Sequence, residues 1–339
     1  MTPRERVRAA IDHRPADRVP YCIGFTPEGR QELERGIRRF FEPGSDWAAT
    51  LGGLDLDRLD ELDAAELDSV VIGNDVARRG PPWWNWHELA ADWRGAAAPT
   101  STAHVRGRGD YETYFDGLKQ LRDEEDKYIL AMIYGSHFEK ANFARGIENF
   151  LADLGGEPAF ARKLLRRIID KNLVMLDNIL TCEEIDGVLL GSDWGTQLDL
   201  IMAPATWEEL IRPGEQEEYD LIKGYGKDVW IHSCGNVLKV IPSLIEMGVD
   251  VLNPVQPEAM DLTFLKQTYG DRLTFWGGLS TQQTLPFGTP DEVKEEARRV
   301  RNLLSAGGGC VFAPAQEIQG DVPAQNILAL LEVAREMTP

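Results

Sequence analysis

Eight short apolar runs, most of them followed by a helix-length segment, set the strongest limit on how this chain can fold. They are Tyr21–Phe25, Ser69–Ile72, Ile129–Ile133, Gly187–Leu190, Asp228–Ile231, Val249–Asn253, Leu273–Trp276 and Cys310–Ala313. Runs this apolar suit strands covered on both faces, and alternation with helices makes such strands parallel. The pattern predicts an α/β fold, a single (β/α)8 barrel of the TIM type occupying residues 1–339. A doubly wound open sheet is the competing arrangement. No Gly-rich turn follows the first run, however, and no Gly-x-x-x-x-Gly-Lys occurs, so nucleotide binding has no support.

Thr2-Pro3-Arg4-Glu5 supplies a hydroxyl cap, a proline at the first helical position and a Glu three residues after the cap. Val7, Ala10 and Ile11 then form an apolar stripe, so an N-terminal helix is expected. Helical spacing also covers 28–41, 158–185, 237–247, 291–304 and 323–337. Between the second and third runs, Arg78–Asp110 is irregular and long for a connection, and is expected to form a lid-like excursion over the barrel. Trp83, Trp84 and Trp86 within it suit either a core beneath a loop or a stacking surface for substrate.

The balance of 36 basic against 56 acidic residues gives a net charge of -20, which argues against nucleic acid or an anionic membrane as partner. Four cysteines, Cys22, Cys182, Cys234 and Cys310, are widely spaced, and no stretch resembles a signal peptide, as expected for a reducing cytoplasm. No apolar run reaches the roughly 18 residues that a membrane span needs. The expected partner is a small molecule, and a homodimer is the default for a soluble enzyme of this kind.

A barrel concentrates chemistry at the carboxyl ends of its strands. Those ends carry Asp75, His137, Asp193, Gln197, His232, Cys234, Asn253, Gln256, Gln316 and Glu317. The sharpest of them is Trp230-Ile-His-Ser-Cys-Gly-Asn236. Strand alternation sends His232 and Cys234 to one side and Ser233 to the other, so both can touch one metal or one ligand. A buried thiol beside a hydrogen-bonded imidazole is the alternative. Asp75, Asp193 and His137 each suit a loop-capping or helix-capping role as well as acid or base chemistry, and Cys22 and Cys182 suit the core.

The order of these motifs resembles the uroporphyrinogen decarboxylase superfamily, single-domain barrels that include both that decarboxylase and cobalamin-dependent methyltransferases. The resemblance runs over nearly the whole chain. It is carried by Asp17-Arg18-Val19-Pro20, Gly191–Gln197, His232-Ser233-Cys234-Gly235-Asn236, Gly277-Gly278, Phe312-Ala313-Pro314, Pro323 and Asn326. The decarboxylase branch implies two arginines after the first strand to hold porphyrinogen carboxylates, where this chain keeps at most Arg30. It also implies a tyrosine near Phe143 and a histidine near Gln316, and only its aspartate is matched, by Asp75. A substrate rich in carboxylates needs arginine partners, so porphyrinogen decarboxylation is not expected.

The methyltransferases that activate a thiol resemble this chain in His-x-Cys-Gly-Asn, where the resemblance implies zinc on His232 and Cys234. A further cysteine ligand is implied after the last strand, where this chain has Gln316. Cys310 opens that strand instead, and six residues of strand span roughly 20 Å, so Cys310 is expected to be structural. An oxygen ligand from Asp193 or Glu317 would then complete the set. The resemblance thus implies a methyltransferase moving a methyl group between a small methylated substrate or thiol and a corrinoid, with zinc as cofactor and a corrinoid protein as partner. Asp75, His137 and Asp193 are the expected acids, bases or orienting groups, and Arg30, Gln197, Asn253, Gln256 and Gln316 the expected substrate contacts. Two alternatives stay open: a metal-independent decarboxylase or lyase using Asp75 and Arg30 on a small carboxylated substrate, and a non-catalytic corrinoid or small-molecule binding protein.

Overall fold

The computed structural model describes residues 1–40, 71–81, 111–133 and 135–337. Most of the expected excursion, with its three tryptophans, lies outside the described residues, as do Ser69 and Val70 of the second expected strand. Along the chain the main elements are α1 (Pro3–Ile11), α2 (Pro27–Phe40), β1 (Val76–Arg79), α3 (Tyr111–Glu125), β2 (Tyr128–Ile133), α4 (His137–Arg145), α5 (Ile147–Gly156) and α6 (Pro158–Leu180). They continue with β3 (Gly187–Gly191), α7 (Arg212–Gly224), β4 (Asp228–His232), α8 (Ile241–Glu246), β5 (Val251–Asn253), α9 (Leu262–Tyr269) and β6 (Thr274–Leu279). The last are α10 (Thr284–Phe287), α11 (Pro290–Ser305), β7 (Cys310–Pro314) and α12 (Ala324–Arg335). No helix among the described residues is long and apolar enough to cross a membrane. The chain divides into two compact units, Ala77–Asn253 and Met1–Val76 with Pro254–Pro339.

In the unit Ala77–Asn253, β2, β3, β4 and β5 pair in parallel and in chain order. Their side chains are almost all buried, as continuous apolar runs require. Gly187 leaves room at the foot of β3: a Cβ there would lie 2.5 Å from the Tyr128 hydroxyl. That hydroxyl accepts from the Trp230 indole at 3.0 Å, and the two rings pack 5.4 Å apart. The register brings Gly191, His232 and Asn253 level at the carboxyl ends of three adjacent strands. Behind them α6 buries Leu164, Leu165, Ile168 and Ile169 and packs on α7. A π-helical turn, Trp207–Ile211, leads into α7.

In the other unit the capping box of α1 forms as expected, with Thr2 Oγ1 accepting from the Glu5 amide at 3.2 Å and Glu5 Oε2 accepting from the Thr2 amide at 2.9 Å. β6 and β7 pair in parallel from Phe275–Cys310 to Leu279–Pro314. The first expected strand requires correction. Tyr21–Phe25 makes only isolated bridges, Tyr21 to Phe312 and Phe25 to Ile318. Its other edge is occupied by a side chain: the Ile23 amide donates to Asn74 Oδ1 at 2.8 Å and Asn74 Nδ2 donates to the Ile23 carbonyl at 2.9 Å. A side chain thus satisfies backbone groups that a neighbouring strand would otherwise take up. Seven regular strands, rather than eight, are present among the described residues.

The second expected strand is also displaced. Val71 and Ile72 are helical, and the strand begins at Val76. Asp75 therefore precedes a strand instead of following one. Arg18 grips it with two bonds, 2.5 Å to Oδ2 and 2.9 Å to Oδ1, Arg6 adds one at 3.3 Å, and the Tyr21 amide donates at 3.0 Å. Asp75 is fully buried, and two cations with a backbone amide compensate it. That is the environment of an anchoring ion pair rather than of a proton shuttle.

Candidate metal centre

The exits of β3 and β4 carry the chemistry in the unit Ala77–Asn253. His232 ends β4, and the chain turns at Gly235, whose φ of 78° favours glycine. A Cβ on Gly235 would come within 2.5 Å of the Thr196 carbonyl oxygen, so the two exit loops lie backbone on backbone. Four bonds from backbone amides stitch them: the Ser192 amide to the His232 carbonyl at 2.8 Å, the Asn236 amide to the Thr196 carbonyl at 2.7 Å, the Trp194 amide to Ser233 Oγ at 3.0 Å, and the Cys234 amide to Asp193 Oδ1 at 2.9 Å. Trp194 lies fully buried beneath, edge-on to Trp207 at 5.4 Å. His232, Cys234 and Asp193 therefore stand over a hydrogen-bonded, aromatic floor.

Cys234 Sγ lies 3.4 Å from His232 Nε2, and Asp193 Oδ1 lies 3.6 Å from the same nitrogen. All three ligand atoms fall within 4.8 Å of one another. A tetrahedral zinc with ordinary Zn–N and Zn–S bonds separates its nitrogen and sulfur ligands by about 3.5 Å, so this donor set fits such an ion. The support behind it fits as well. His232 Nδ1–H donates to Asn253 Oδ1 at 2.5 Å, which leaves the lone pair on Nε2, the nitrogen facing Cys234. Cys234 and His232 are half-buried and Asp193 is exposed, so the centre is reachable from solvent.

Glu139 is the residue that sequence reasoning missed. It lies in the first turn of α4 and reaches over the end of β3, where a Cβ on Gly191 would lie 3.4 Å from its Oε2. Burial, and then the negative field of Asp193, push its carboxyl up to about 7. A first-turn glutamate is ordinary in a helix, and only the crossing of Gly191 gives it this environment. No signal in the sequence distinguishes it.

His137 turns inward, and its expected place on the open rim is corrected. It is fully buried, its Nε2 3.0 Å from the Ile211 carbonyl that the π-helical turn presents. Its Nδ1 faces Ser136 Oγ at 3.1 Å, Glu215 Oε1 at 3.4 Å and Glu218 Oε2 at 3.6 Å. Burial alone would lower its pKa, but Glu215 and Glu218 outweigh burial and raise it. Each ring nitrogen thus faces an acceptor, the Ile211 carbonyl at Nε2 and Ser136 Oγ at Nδ1. Glu218 also accepts from Asn172 Nδ2 at 2.5 Å, and Lys140 Nζ donates to Asn172 Oδ1 at 2.6 Å.

Within this unit the expected substrate contact Asn253 turns its side chain to His232. Gln197 is exposed on the loop after Asp193. Arg30, Gln256, Gln316 and Glu317 belong to the other unit. There Arg30 sits half-buried in the first turn of α2, and Gln256 is buried just after Val255, a β-branched residue held at a φ of 47°. Gln316 and Glu317 follow the end of β7, with the Glu317 amide donating to Gln316 Oε1 at 3.1 Å. Cys310 is the first residue of β7, and burial pushes its thiol up to about 12, out of the range of a ready ligand. None of the four cysteines is in a disulfide.

The fold and the donor set define a parallel α/β protein with a candidate metal centre at its strand ends. The uroporphyrinogen decarboxylase (URO-D) family matches residues 90–337, and the chain belongs to that family. Over 136 residues it is 27% identical to the methylcobamide:CoM methyltransferase MtaA of Methanosarcina barkeri, covering 40% of this chain and 38% of that one. Over 220 residues it is 22% identical to a methylated-thiol–coenzyme M methyltransferase of Methanosarcina mazei, covering 65% of this chain and 56% of the relative. The chain thus spans about two fifths to somewhat over half the length of these curated relatives. A solved structure, a methyltransferase from Methanosarcina mazei, superposes with a TM-score of 0.70 over 98% of both chains at 18% identity, a likeness of fold.

Proposed function

We propose that the protein is a metal-dependent methyltransferase that moves a methyl group between a corrinoid and a small thiol, at the carboxyl ends of β3 and β4. The observation that carries this reading is His232 held by Asn253 so that Nε2 faces Cys234 Sγ at 3.4 Å and Asp193 Oδ1 at 3.6 Å. His232 and Cys234 would hold a zinc ion, with Asp193 as the oxygen donor. Zinc so held would supply the Lewis acidity that leaves a coordinating thiol deprotonated near neutral pH.

The chain's own groups do the rest. Asn253 fixes the imidazole tautomer, and the Cys234 amide holds Asp193. Glu139, ionised above about 7 and within the field of Asp193, would receive the proton that the thiol must lose before its sulfur takes the methyl group. The relatives named above transfer methyl groups between a methylcobamide or a methylated thiol and coenzyme M, as their names state. They support the reaction class, while the thiol used by this chain is set by its own pocket. A lyase would need Asp75 as a working carboxylate, and its oxygens are taken by Arg6, Arg18 and the Tyr21 amide. No observation favours the lyase or a purely binding role.

The test is elemental analysis of the purified protein together with methyl transfer from methylcobalamin to a panel of small thiols. Cys234→Ala is expected to lose the bound zinc and to lower transfer by at least about 100-fold. Full metal content and full turnover in that variant would overturn the reading.

A further inference from the structure

Two clusters in the unit Ala77–Asn253 meet at one buried hydroxyl. Ser192 precedes Asp193 and is fully buried, and its Oγ donates to Glu215 Oε1 at 3.1 Å. Ser136 Oγ lies 2.9 Å from the same carboxylate oxygen, so Glu215 ties the exit of β2 to the exit of β3. The residue reaches this position through the π-helical turn, which starts α7 so that Glu215 and Glu218, three apart, share its inward face. Asp193, in contrast, has a side chain 48% exposed, and one backbone amide, that of Cys234, holds it.

We infer that Glu215, acting through Ser192, is a positioning residue that keeps Asp193 beside His232 and Cys234. An exposed aspartate with one hydrogen bond has several rotamers within reach. What narrows them is the backbone from which the side chain departs. Ser192 fixes that backbone from two directions, by its amide to the His232 carbonyl at 2.8 Å and by its hydroxyl to Glu215. Glu215 is itself fully buried, with the Ser136 and Ser192 hydroxyls both on its Oε1. The placement of Asp193 does not depend on a metal, and the inference rests on the methyltransferase reading only for what Asp193 does once placed.

The Cys234 amide reports directly on Asp193, because its hydrogen bond ends on Oδ1. In the metal-free full chain, hydrogen exchange at that amide should be about tenfold faster in Ser192→Ala than in the wild type. Glu215→Gln, which keeps an acceptor for the hydroxyl, should leave it near the wild-type rate. Ser136→Ala removes the other hydroxyl on the same oxygen and serves as the control for a merely structural role: it should leave the Cys234 amide unchanged. Ser192→Cys, a poor donor, replaces Ser192→Ala if that variant does not fold. An exchange rate in Ser192→Ala within twofold of the wild type, or an equal acceleration in Ser136→Ala, would overturn the inference.

Cobalt(II) titration separates this outcome from failure of the metal reading. Ser192→Ala should weaken cobalt(II) binding about tenfold and have no further effect in an Asp193→Ala background. Wild-type protein that binds neither zinc nor cobalt(II) would sink the metal reading, and the Cys234 amide would still decide the positioning role.

Discussion

His137, Glu215 and Glu218 offer nearly the same kinds of donor as His232, Cys234 and Asp193, in one unit and equally close together, with each trio inside 4.8 Å. Their surroundings differ. The first trio is fully enclosed, and the protein supplies its polar partners: two serine hydroxyls, the Ile211 carbonyl and Asn172, which Lys140 holds in turn. The second trio is supported from behind by Asn253 and the Cys234 amide and is open in front. Converging imidazole and carboxylate groups therefore do not by themselves mark a metal centre. What differs is whether protein hydrogen-bond partners already enclose the donor atoms or leave them reachable from solvent.

The comparison breaks most readily at the two histidines. His137→Ala would leave Glu215 and Glu218 facing each other in the interior, and should cost about 3–5 kcal/mol of stability in urea denaturation. His232→Ala, at a half-buried site, should cost within about 1 kcal/mol in metal-free protein. Equal losses would mean that the buried trio is not an ion-pair network. The next effect is at the support behind the open trio. Asn253→Ala should lower zinc affinity about 10–100-fold in competition with a chelator, since it frees the imidazole tautomer. Unchanged affinity would show that the 2.5 Å contact does not set the tautomer.

The same contrast explains what the sequence discloses. The strands bearing Gly191, His232 and Asn253 are legible because their apolar runs stop abruptly, and alternation alone places His232 with Cys234. Asp193 is legible for the same reason, as an acid just past the end of an apolar run. The inward turn of His137 is not, because it depends on a carbonyl exposed by a π-helical turn 74 residues away in the chain. The first strand position is not legible either. Its backbone is satisfied by the side chain of Asn74, and no periodicity in Tyr21–Phe25 announces that substitution. Asp75 misleads because the apolar run before it ends in a helical turn, so the strand starts one residue later.

Glu139, beside the end of β3, gives the smallest predicted effect. Its carboxyl lies at about 7, against 4.5 for the ordinary group, with burial the larger cause and Asp193 the second. The folded protein therefore keeps a proton at this site between about 4.5 and 7 that the unfolded chain has released. In that window the native state binds more protons than the unfolded state, so the contribution of Glu139 to stability falls as pH rises. Glu139→Gln removes the titration while keeping the shape. In metal-free protein its urea midpoint should match the wild type near pH 4.5 and exceed it above pH 8, by on the order of 1 kcal/mol after solvent screening. Parallel midpoints across that range would show that Glu139 carries no buried charge, and would remove it as the group that receives the thiol proton. A converging pair of curves with methyl transfer lowered in the variant would instead fix Glu139 as the proton acceptor beside the open centre.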